Sequence, residues 1–274
     1  MRVLVTGATG FLGVEVARQL AGQGLRPRLA VRRPSRAPEL DGLDAERVHA
    51  DLGVPDSLAA AVDGCDAVIH LAGRAVFEPA RYLVPTFLHG TRALAEAALA
   101  AGVERFVFAS SVMVHGSTDV PITSATPPEP EVDYGRVKLD VERDLERLSA
   151  GSPMRVASIR LPHIYGANDL LFTRLSPGFL VVPGRGNAPY AHLHVHDAAR
   201  VLIAAAVTGW SGASAVGDRE PVGWRDFLAE VHRRLPRTII VRAPAPLAAL
   251  GVRVIWAATF GSRQLPSVYT ADTV

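Results

Sequence analysis

An apolar run, a glycine-rich turn and an amphipathic run follow one another at the start of the chain. Residues 3–13 read Val-Leu-Val-Thr-Gly-Ala-Thr-Gly-Phe-Leu-Gly, and apolar residues then recur at helical spacing up to Leu20. This order predicts a buried strand, a tight turn and a helix. A helix that begins directly after such a turn offers free backbone N–H groups and the positive end of its dipole to a phosphate. The chain must therefore begin with an α/β unit.

The three glycines of this turn have separate predicted roles. Gly7 permits the turn, Gly10 lets the backbone approach a pyrophosphate, and Gly13 lets the helix pack closely on the strand. Their spacing is Gly-x-x-Gly-x-x-Gly, not the Gly-x-Gly-x-x-Gly of the usual dinucleotide fingerprint. Three glycines alone are weak evidence, since an ordinary strand–helix turn can contain them. Directly after an N-terminal strand, they indicate a dinucleotide-binding site.

Strands and helices alternate through the first 160 residues. The further predicted strands are 27–31, 67–71, 105–109 and 155–159, and the predicted helices include 56–62, 91–101 and 134–148. Strands separated by helices form a parallel sheet that is covered on both faces and binds ligands at the carboxyl ends of its strands. The sequence thus predicts an α/β fold with a Rossmann-type doubly wound parallel sheet and a smaller C-terminal substrate lobe.

The pattern loosens after about residue 165. Helices are predicted at 197–207 and 224–235 and a short strand at 238–241. We predict a dinucleotide-binding domain over residues 1–165 and a smaller substrate-binding lobe over residues 166–274. The two parts are expected to be interwoven, because no low-complexity linker separates them. The most apolar late stretch, 243–260, contains prolines and an arginine, so it is predicted to cover a core or a lipophilic pocket.

The composition argues against several classes of partner. Lys plus Arg is 29 and Asp plus Glu is 27, and the resulting net charge of +2 does not indicate a nucleic-acid-binding protein. Cys65 is the only cysteine, so no intrachain disulfide forms, as expected in a reducing cytoplasm. A core strand at the N-terminus leaves no room for a signal peptide, and no uncharged apolar run reaches the roughly 18 residues of a membrane span. We expect a cytoplasmic protein with a small-molecule ligand and no metal site.

Two groups of side chains are candidates for catalytic residues. Tyr134 and Lys138 lie four residues apart on a predicted helix and hence on one face. A tyrosine has a reference pKa of about 10, which a neighbouring ammonium lowers. Ser110 and Ser111 end a predicted strand, where a hydroxyl can donate to a substrate carbonyl. An ordinary helix pair and a turn serine are the structural alternatives, and the ordered set together with the glycine turn favours catalysis.

Arg32 and Arg33 bear on the choice of dinucleotide. They follow the second predicted strand, where NAD-binding proteins of this fold often carry an acidic residue for the ribose 2′-hydroxyl. Arginine binds phosphate through two parallel hydrogen bonds. The sequence therefore predicts NADP(H) rather than NAD(H), with a solvated basic loop as the alternative.

Several segments, in the expected order, resemble the extended short-chain dehydrogenase/reductases of the NAD-dependent epimerase/dehydratase superfamily. They are residues 6–13, Asp51-Leu52, the His-Leu-Ala-Gly of 70–73, Ser111 five residues before Gly116, the Tyr-x-x-x-Lys of 134–138, the Arg-Leu-Pro-His-Ile-Tyr-Gly of 160–166 and the His-Val-His-Asp of 194–197. The resemblance runs from Val3 to about Asp197 and is looser beyond. Within this family, the remaining sequence is most similar in character to the 3-beta-hydroxysteroid dehydrogenase and dihydroflavonol reductase branches.

The resemblance implies hydride transfer with a nicotinamide cofactor. The implied catalytic residues are Tyr134, which gives or takes the hydroxyl proton, Ser111, which holds the carbonyl oxygen, and Lys138, which binds the nicotinamide ribose and lowers the pKa of Tyr134. Besides Arg32 and Arg33, the implied cofactor-binding residues are Gly7, Thr9, Gly10, Phe11, Leu12, Gly13, Asp51, Leu52, Leu71, Ala72, Gly73, Tyr134, Lys138 and Pro162. A homodimer through the fourth and fifth helices is common in the family.

The chain departs from the family pattern at several places. Phe87 stands where many members carry an asparagine that supports a proton relay, and Tyr190 stands where nucleotide-sugar enzymes carry an arginine for the diphosphate. His115 replaces a frequent tyrosine and is expected to pack or to touch substrate. The sequence also ends earlier than such chains usually do, which predicts either a short second lobe or a truncated sequence.

Three functions follow as alternatives. The first is an NADP-dependent oxidoreductase that acts on a ketone or secondary alcohol of a medium-sized, mostly apolar molecule by a Ser-Tyr-Lys mechanism. The second is a nucleotide-sugar epimerase or dehydratase, and the third is a non-catalytic NADP-binding sensor. The sequence names neither the substrate nor the direction, because selectivity lies in loops 74–86, 115–133 and 167–192.

Overall fold

The computed structural model describes residues 1–35, 37–73, 78–118, 120–167, 169, 178–183, 189–234, 238–244 and 247. Its helices are α1 (Phe11–Gly22), α2 (Pro55–Val62), α3 (Ala80–Val84), α4 (Thr91–Ala100), α5 (Asp133–Ser149), α6 (Val195–Thr208) and α7 (Trp224–Arg234). Its strands are β1 (Val3–Thr6), β2 (Arg28–Val31), β3 (Glu46–His49), β4 (Ala67–His70), β5 (Arg105–Ser111), β6 (Arg155–Leu161), β7 (His163–Tyr165), β8 (Gly178–Pro183), β9 (His192–His194), β10 (Gly212–Ala215) and β11 (Thr238–Ala243).

Seven strands form the central sheet in the order β10-β6-β5-β4-β1-β2-β3. Every neighbouring pair is parallel. The chain runs outward from β1 to β2 and β3, and then crosses back to place β4 on the other side of β1. Ligands bind to sheets of this kind at the carboxyl ends of the strands beside this switch point. The predicted Rossmann-type doubly wound fold is confirmed.

Alternating strand residues build one hydrophobic core on each face of the sheet. Val3 and Val5 of β1 belong to the core formed with α1 and α6, whereas Leu4 belongs to the core formed with α2, α4 and α5. Phe106 and Phe108 of β5 belong to this second core, and both rings are almost fully buried. Each such side chain contributes about 1.5–3 kcal/mol to folding. Burial on both faces explains why the strands read as continuous apolar runs.

Residues beyond the predicted boundary at 165 also contribute to the sheet. Strand β10 pairs with β6, and helix α6 packs against α1. A small two-stranded sheet of β8 and β11 lies wholly beyond residue 165, and a second one pairs β7, which ends at Tyr165, with β9. The division into 1–165 and 166–274 stays a prediction. Most of the apolar stretch 243–260 lies outside the described residues.

Within the described part of the chain, none of the helices combines the length and the apolar character that a membrane crossing requires.

Candidate nucleotide-binding and active site

The sheet brings most of the predicted site residues to one edge. Following the carboxyl ends of β3, β2, β1, β4, β5 and β6 in spatial order, the structure places Asp51, Arg32, Gly7, Leu71, Ser111 and Pro162. Parallel strands all end at the same edge, so residues far apart in sequence become neighbours. The switch point between β1 and β4 lies in the middle of this row.

The glycine turn is packed too tightly for side chains. Gly7 has a φ of +67°, and a Cβ atom there would lie 2.8 Å from the Leu71 carbonyl carbon and oxygen. A Cβ atom on Gly13 would lie 2.1 Å from the Gly7 carbonyl oxygen. The Gly10 N–H donates to that same oxygen over 2.9 Å. The turn therefore keeps α1 close to the end of β1.

The first turn of α1 is suited to an anion. Gly10 is the N-cap residue, and no side chain caps the helix there. No acidic residue lies in its first turn, Thr9 and Gly10 are exposed, and Phe11 and Leu12 are half-buried. The helix dipole and the backbone N–H groups thus face outward without a competing negative charge. These residues fit the diphosphate of a dinucleotide.

The ends of β1 and β4 are joined by side-chain hydrogen bonds. Thr6 Oγ1 accepts from the backbone N–H groups of Leu71 (3.2 Å) and Ala72 (3.3 Å) and lies 2.6 Å from His70 Nδ1. His70 Nε2 lies 2.9 Å from Thr91 Oγ1 at the start of α4. Sequence reasoning did not single out Thr6, and it used His70 only as part of a motif.

A π-helical segment, Pro85–Gly90, places Phe87 behind the Leu71–Gly73 segment. Gly73 has a φ of +140°, and a Cβ atom there would lie 2.3 Å from the Phe87 ring. A Cβ atom on Gly90 would lie 2.8 Å from Leu52 Cβ. π-Helical turns are frequent at functional sites. The glycines at 73 and 90 are thus required by neighbouring side chains.

Asp51, Arg32 and Arg33 lie at the open end of the row. Asp51 Oδ1 accepts from the Gly53 N–H over 2.9 Å, which fixes a local turn after β3. Arg32 and Arg33 are exposed directly after β2. Both arginine side chains thus lie in solvent at the carboxyl end of β2.

Tyr134 and Lys138 lie one turn apart on α5, which packs against β5. Lys138 Nζ donates to the Ala109 carbonyl oxygen over 2.6 Å, two residues before Ser111 on the same strand. Ser111 Oγ accepts from the Met113 N–H over 3.2 Å, which leaves its O–H to donate. The structure thus places all three predicted catalytic residues at the carboxyl end of β5. The sequence contains no other lysine than Lys138.

The expected lowering of the Tyr134 pKa is not seen. Burial raises the pKa of Tyr134 above its usual value. The Lys138 ammonium lies over aromatic rings, at 5.7 Å from the Tyr134 ring centre, and it donates to a backbone carbonyl. Burial lowers the pKa of Lys138 to about 7, against the opposing effect of Glu142. Desolvation is the largest influence on the pKa of both groups.

A buried polar network behind the site was missed by sequence reasoning. Glu142 accepts from Ser110 and forms an ion pair of 2.7 Å with Arg160. Arg160 Nη1 lies 3.0 Å from His115 Nε2, and His115 Nδ1 lies 3.3 Å from the Pro127 carbonyl oxygen. Arginine can only donate, so His115 accepts at Nε2 and donates from Nδ1. The available signal was a carboxylate one turn beyond Lys138 on the apolar face of the helix.

Tyr190 lies in a cluster of aromatic side chains. Its ring centre is 5.4 Å from that of His192 and 5.5 Å from that of Trp224. Burial raises the pKa of Tyr190 to about 12, and burial together with His163 lowers the pKa of His192 to about 4. The position that the family pattern assigns to a phosphate-binding arginine therefore carries no positive charge.

Comparisons with known proteins agree with this architecture. The chain is 32% identical over 276 residues to a ceramide reductase of Caulobacter vibrioides. The alignment covers 97% of this chain and 81% of the relative. It is 30% identical over 256 residues to a 3 beta-hydroxysteroid dehydrogenase/Delta 5-->4-isomerase of Mycobacterium tuberculosis, covering 84% of this chain and 68% of the relative.

A solved structure with the same fold is MoeE5 in complex with UDP-glucose and NAD. It superposes with a TM-score of 0.78 at 26% identity and covers 89% of this chain and 85% of that chain. The sequence profile of the NAD dependent epimerase/dehydratase family matches residues 3–215. The sheet order, the glycine turn and these matches agree. The protein is therefore an enzyme that belongs to the NAD-dependent epimerase/dehydratase family.

Proposed function

We propose that the protein is an NADP-dependent oxidoreductase that transfers a hydride between the nicotinamide and a ketone or secondary alcohol of a medium-sized, mostly apolar substrate. The observation that carries the proposal is the meeting of Ser111, Tyr134 and Lys138 at the carboxyl end of β5, with Lys138 Nζ 2.6 Å from the Ala109 carbonyl oxygen. The nicotinamide supplies or accepts the hydride when bound.

Each of the three side chains has its own proposed role in catalysis. Ser111 donates a hydrogen bond from its hydroxyl group to the substrate oxygen and so orients the substrate. Tyr134 transfers the proton to or from that oxygen. Lys138 binds the nicotinamide ribose and supplies positive charge beside the phenol. Because burial raises the pKa of Tyr134, the phenol holds its proton at neutral pH, which favours the reduction of a carbonyl.

The residues at the carboxyl ends of the strands would hold the cofactor. The turn and helix start of residues 7–13 would bind its diphosphate, and Asp51 and Leu52 would contact the adenine. Leu71, Ala72 and Gly73 would line its middle, and Pro162 would lie beside the nicotinamide. The exposed Arg32 and Arg33 directly after β2 would bind a 2′-phosphate, and their position supports NADP(H) over NAD(H).

The aromatic cluster around Tyr190 supports an apolar substrate. A diphosphate placed there would lose its hydration without gaining an arginine partner. Two relatives are named for a ceramide and for a 3β-hydroxysteroid, and both of these molecules are lipids.

A second candidate function is nucleotide-sugar epimerisation or dehydration. It is favoured by the similarity to MoeE5, whose solved structures contain UDP-glucose or UDP-glucuronic acid together with NAD. Such an enzyme uses the same catalytic residues with no net redox change. Tight binding of UDP-sugars, with no consumption of NADPH on any carbonyl compound, would favour this candidate.

A carbonyl reduction assay tests the proposal. The purified protein is incubated with NADPH and a panel of steroid-like and long-chain ketones, and loss of NADPH is followed by absorbance. We expect turnover on apolar ketones and a kcat about 10²–10⁴-fold lower for Tyr134→Phe.

Tyr82→Phe is the matched control, because Tyr82 is 54% exposed on α3. Near-normal turnover by Tyr134→Phe would remove Tyr134 from the chemistry. If no carbonyl compound is reduced although NADPH binds, the reductase proposal is wrong and the sensor alternative is favoured.

A further inference from the structure

Lys138 lies in an enclosure of three aromatic rings. Its Nζ is 4.4 Å from the ring centre of Phe87, 4.5 Å from that of Phe108 and 5.7 Å from that of Tyr134. A cation over a ring face is attracted by the ring quadrupole, most strongly where water is excluded. Lys138 is only 5% exposed, so the rings replace water around the charge.

Two other residues pack closely against the Phe87 ring. Gly73 approaches so closely that a Cβ atom there would overlap the ring, at 2.3 Å. Tyr134 makes an edge contact with it, with ring centres 5.9 Å apart and an interplanar angle of 84°. Phe87 itself is 4% exposed. These contacts restrict the ring, whose face lies toward the ammonium.

The amino-acid composition shows that a lysine at this position is unusual for this chain. Lys plus Arg is 29, and Lys138 is the one lysine, so arginine fills every other such position. A guanidinium is planar and suits bidentate partners, whereas an ammonium is compact and donates from a flexible stem. The enclosure accepts the compact cation and still leaves Nζ within 2.6 Å of the Ala109 carbonyl oxygen.

We propose that Phe87 is a positioning residue for Lys138: its ring face holds the ammonium beside Tyr134 by a cation–π contact, where a polar side chain would hold it through water. This inference rests on the proposed function, because it assigns Phe87 a part in the chemistry of Tyr134 and Lys138. Phe108 supplies the second ring face from β5.

The charge of Lys138 is coupled to two other titratable groups. Glu142, one turn further along α5, raises the pKa of Lys138 and so opposes the effect of burial. His70 on β4 is close enough for Lys138 to lower the pKa of His70. Any test must therefore leave Glu142 and His70 in place and change the rings alone.

The lone lysine permits a direct test. Protein labelled with ¹³C-lysine gives a single Cε resonance, and its pH titration reports Lys138 without cofactor or substrate. Phe87→Leu keeps the site apolar but removes the ring face, so we expect the titration midpoint to fall by about 0.5–1 pH unit. Phe87→Asn admits an amide and water, so we expect the midpoint to rise.

Phe106→Leu is the matched control. It makes the same change at a fully buried ring of the same core, and this ring is not among the described rings that lie over Lys138. We expect its midpoint to equal that of the wild type. Equal shifts in Phe87→Leu and Phe106→Leu, or shifts of the same sign in Phe87→Leu and Phe87→Asn, would overturn the inference, since the ring would then only fill space.

A second variant tests the inference independently if Phe87→Leu does not fold. Phe108→Leu removes the other ring face, and circular dichroism reports whether it folds. It is expected to lower the midpoint in the same direction, and an unchanged midpoint would also overturn the inference.

The titration is separate from the test of the proposed function. If the midpoints behave as expected but Tyr134→Phe stays active, the reductase proposal fails and the cation–π contact stands. If Tyr134→Phe is inactive but the midpoints do not separate, the contact alone fails. In an active reductase, the pH profile of kcat in Phe87→Leu should shift with the midpoint, while KM for NADPH changes less.

Discussion

Thr6 Oγ1 lies 2.6 Å from His70 Nδ1, and this hydrogen bond ties the end of β1 to the end of β4. Because the Thr6 oxygen accepts from two backbone N–H groups, its own proton goes to His70. His70 is therefore an acceptor at Nδ1 and a donor at Nε2, toward Thr91. A neutral imidazole holds the two strand ends in register beside the glycine turn.

Acid should weaken the fold through His70. Burial, with a smaller effect of Lys138, lowers the pKa of His70 from 6.5 to about 3. Between these values the unfolded chain binds a proton that the folded chain does not, so the stability present above pH 6.5 is lost as the pH falls toward 3. Urea unfolding from pH 8 to pH 4 should show this decline.

In His70→Gln we expect the decline to be shallower, and the stability at pH 8 to be about 1–3 kcal/mol lower. His192 has a lowered pKa as well, so part of the decline remains. His89→Gln, at an exposed position, is the control. A decline in His70→Gln as steep as in the wild type would contradict the assignment.

Gly13→Ala should disrupt the phosphate turn. The added methyl group would lie 2.1 Å from the Gly7 carbonyl oxygen, so strand and helix must separate. We expect a destabilisation of about 1–3 kcal/mol and at least tenfold weaker binding of NADPH by calorimetry. Gly22→Ala is the control in the same helix, since nothing lies within 4 Å of its Cβ position. Equal effects at both positions would contradict the role of close packing.

Arg32→Ala and Arg33→Ala should reduce the preference for NADPH over NADH. Each guanidinium is exposed directly after β2, and a charge-assisted hydrogen bond contributes about 1.5–3 kcal/mol. We expect the ratio of the two dissociation constants to change by about 10–100-fold, with NADH binding nearly unchanged. Arg200→Ala, an exposed arginine on α6, removes the same charge elsewhere. Weakening of NADH and NADPH by equal factors would refute the assignment of these arginines to the 2′-phosphate.

The Glu142–Arg160 ion pair should behave as a buried pair. The two side chains are 6% and 13% exposed. Removing one partner leaves the other charge buried without its ion-pair partner, so we expect Glu142→Leu or Arg160→Met to cost about 3–5 kcal/mol in urea unfolding. The double variant Glu142→Leu/Arg160→Met is expected to regain part of that loss. The exposed pair Asp197–Arg200 on α6 is the comparison, and breaking it should change little. Additive losses in the double variant would show that the pair is not coupled.

Local signals predicted the sheet well. Strands β1, β4 and β5 are short apolar runs between turns, and α5 has a clear helical period, so their types and approximate bounds follow from the sequence. Strand β3 and the short helix α3 were not predicted, because Glu46–His49 alternates weakly and Ala80–Val84 spans little more than one turn. The predicted homodimer stays a prediction.

The candidate site was predictable where a residue type is demanded by local geometry. Gly7 and Gly13 follow from the turn, whereas Tyr134 and Lys138 follow from the family resemblance, since their spacing on one helix is common in ordinary helices. The contacts of Phe87 and Glu142 were not predictable, since each depends on which strand or helix packs opposite. Lys138 makes the point most clearly: its position was predicted, but its enclosure by rings comes from three separate elements.

The last strand of the central sheet, β10, has a consequence for synthesis. It pairs with β6 and ends at residue 215, where the family match also ends. Until the ribosome has released these residues, the nascent sheet exposes the edge of β6 and lacks the α6 cover on one face, an arrangement that invites aggregation. We therefore expect residues 1–165 to complete their fold only after the chain through residue 215 has left the ribosome.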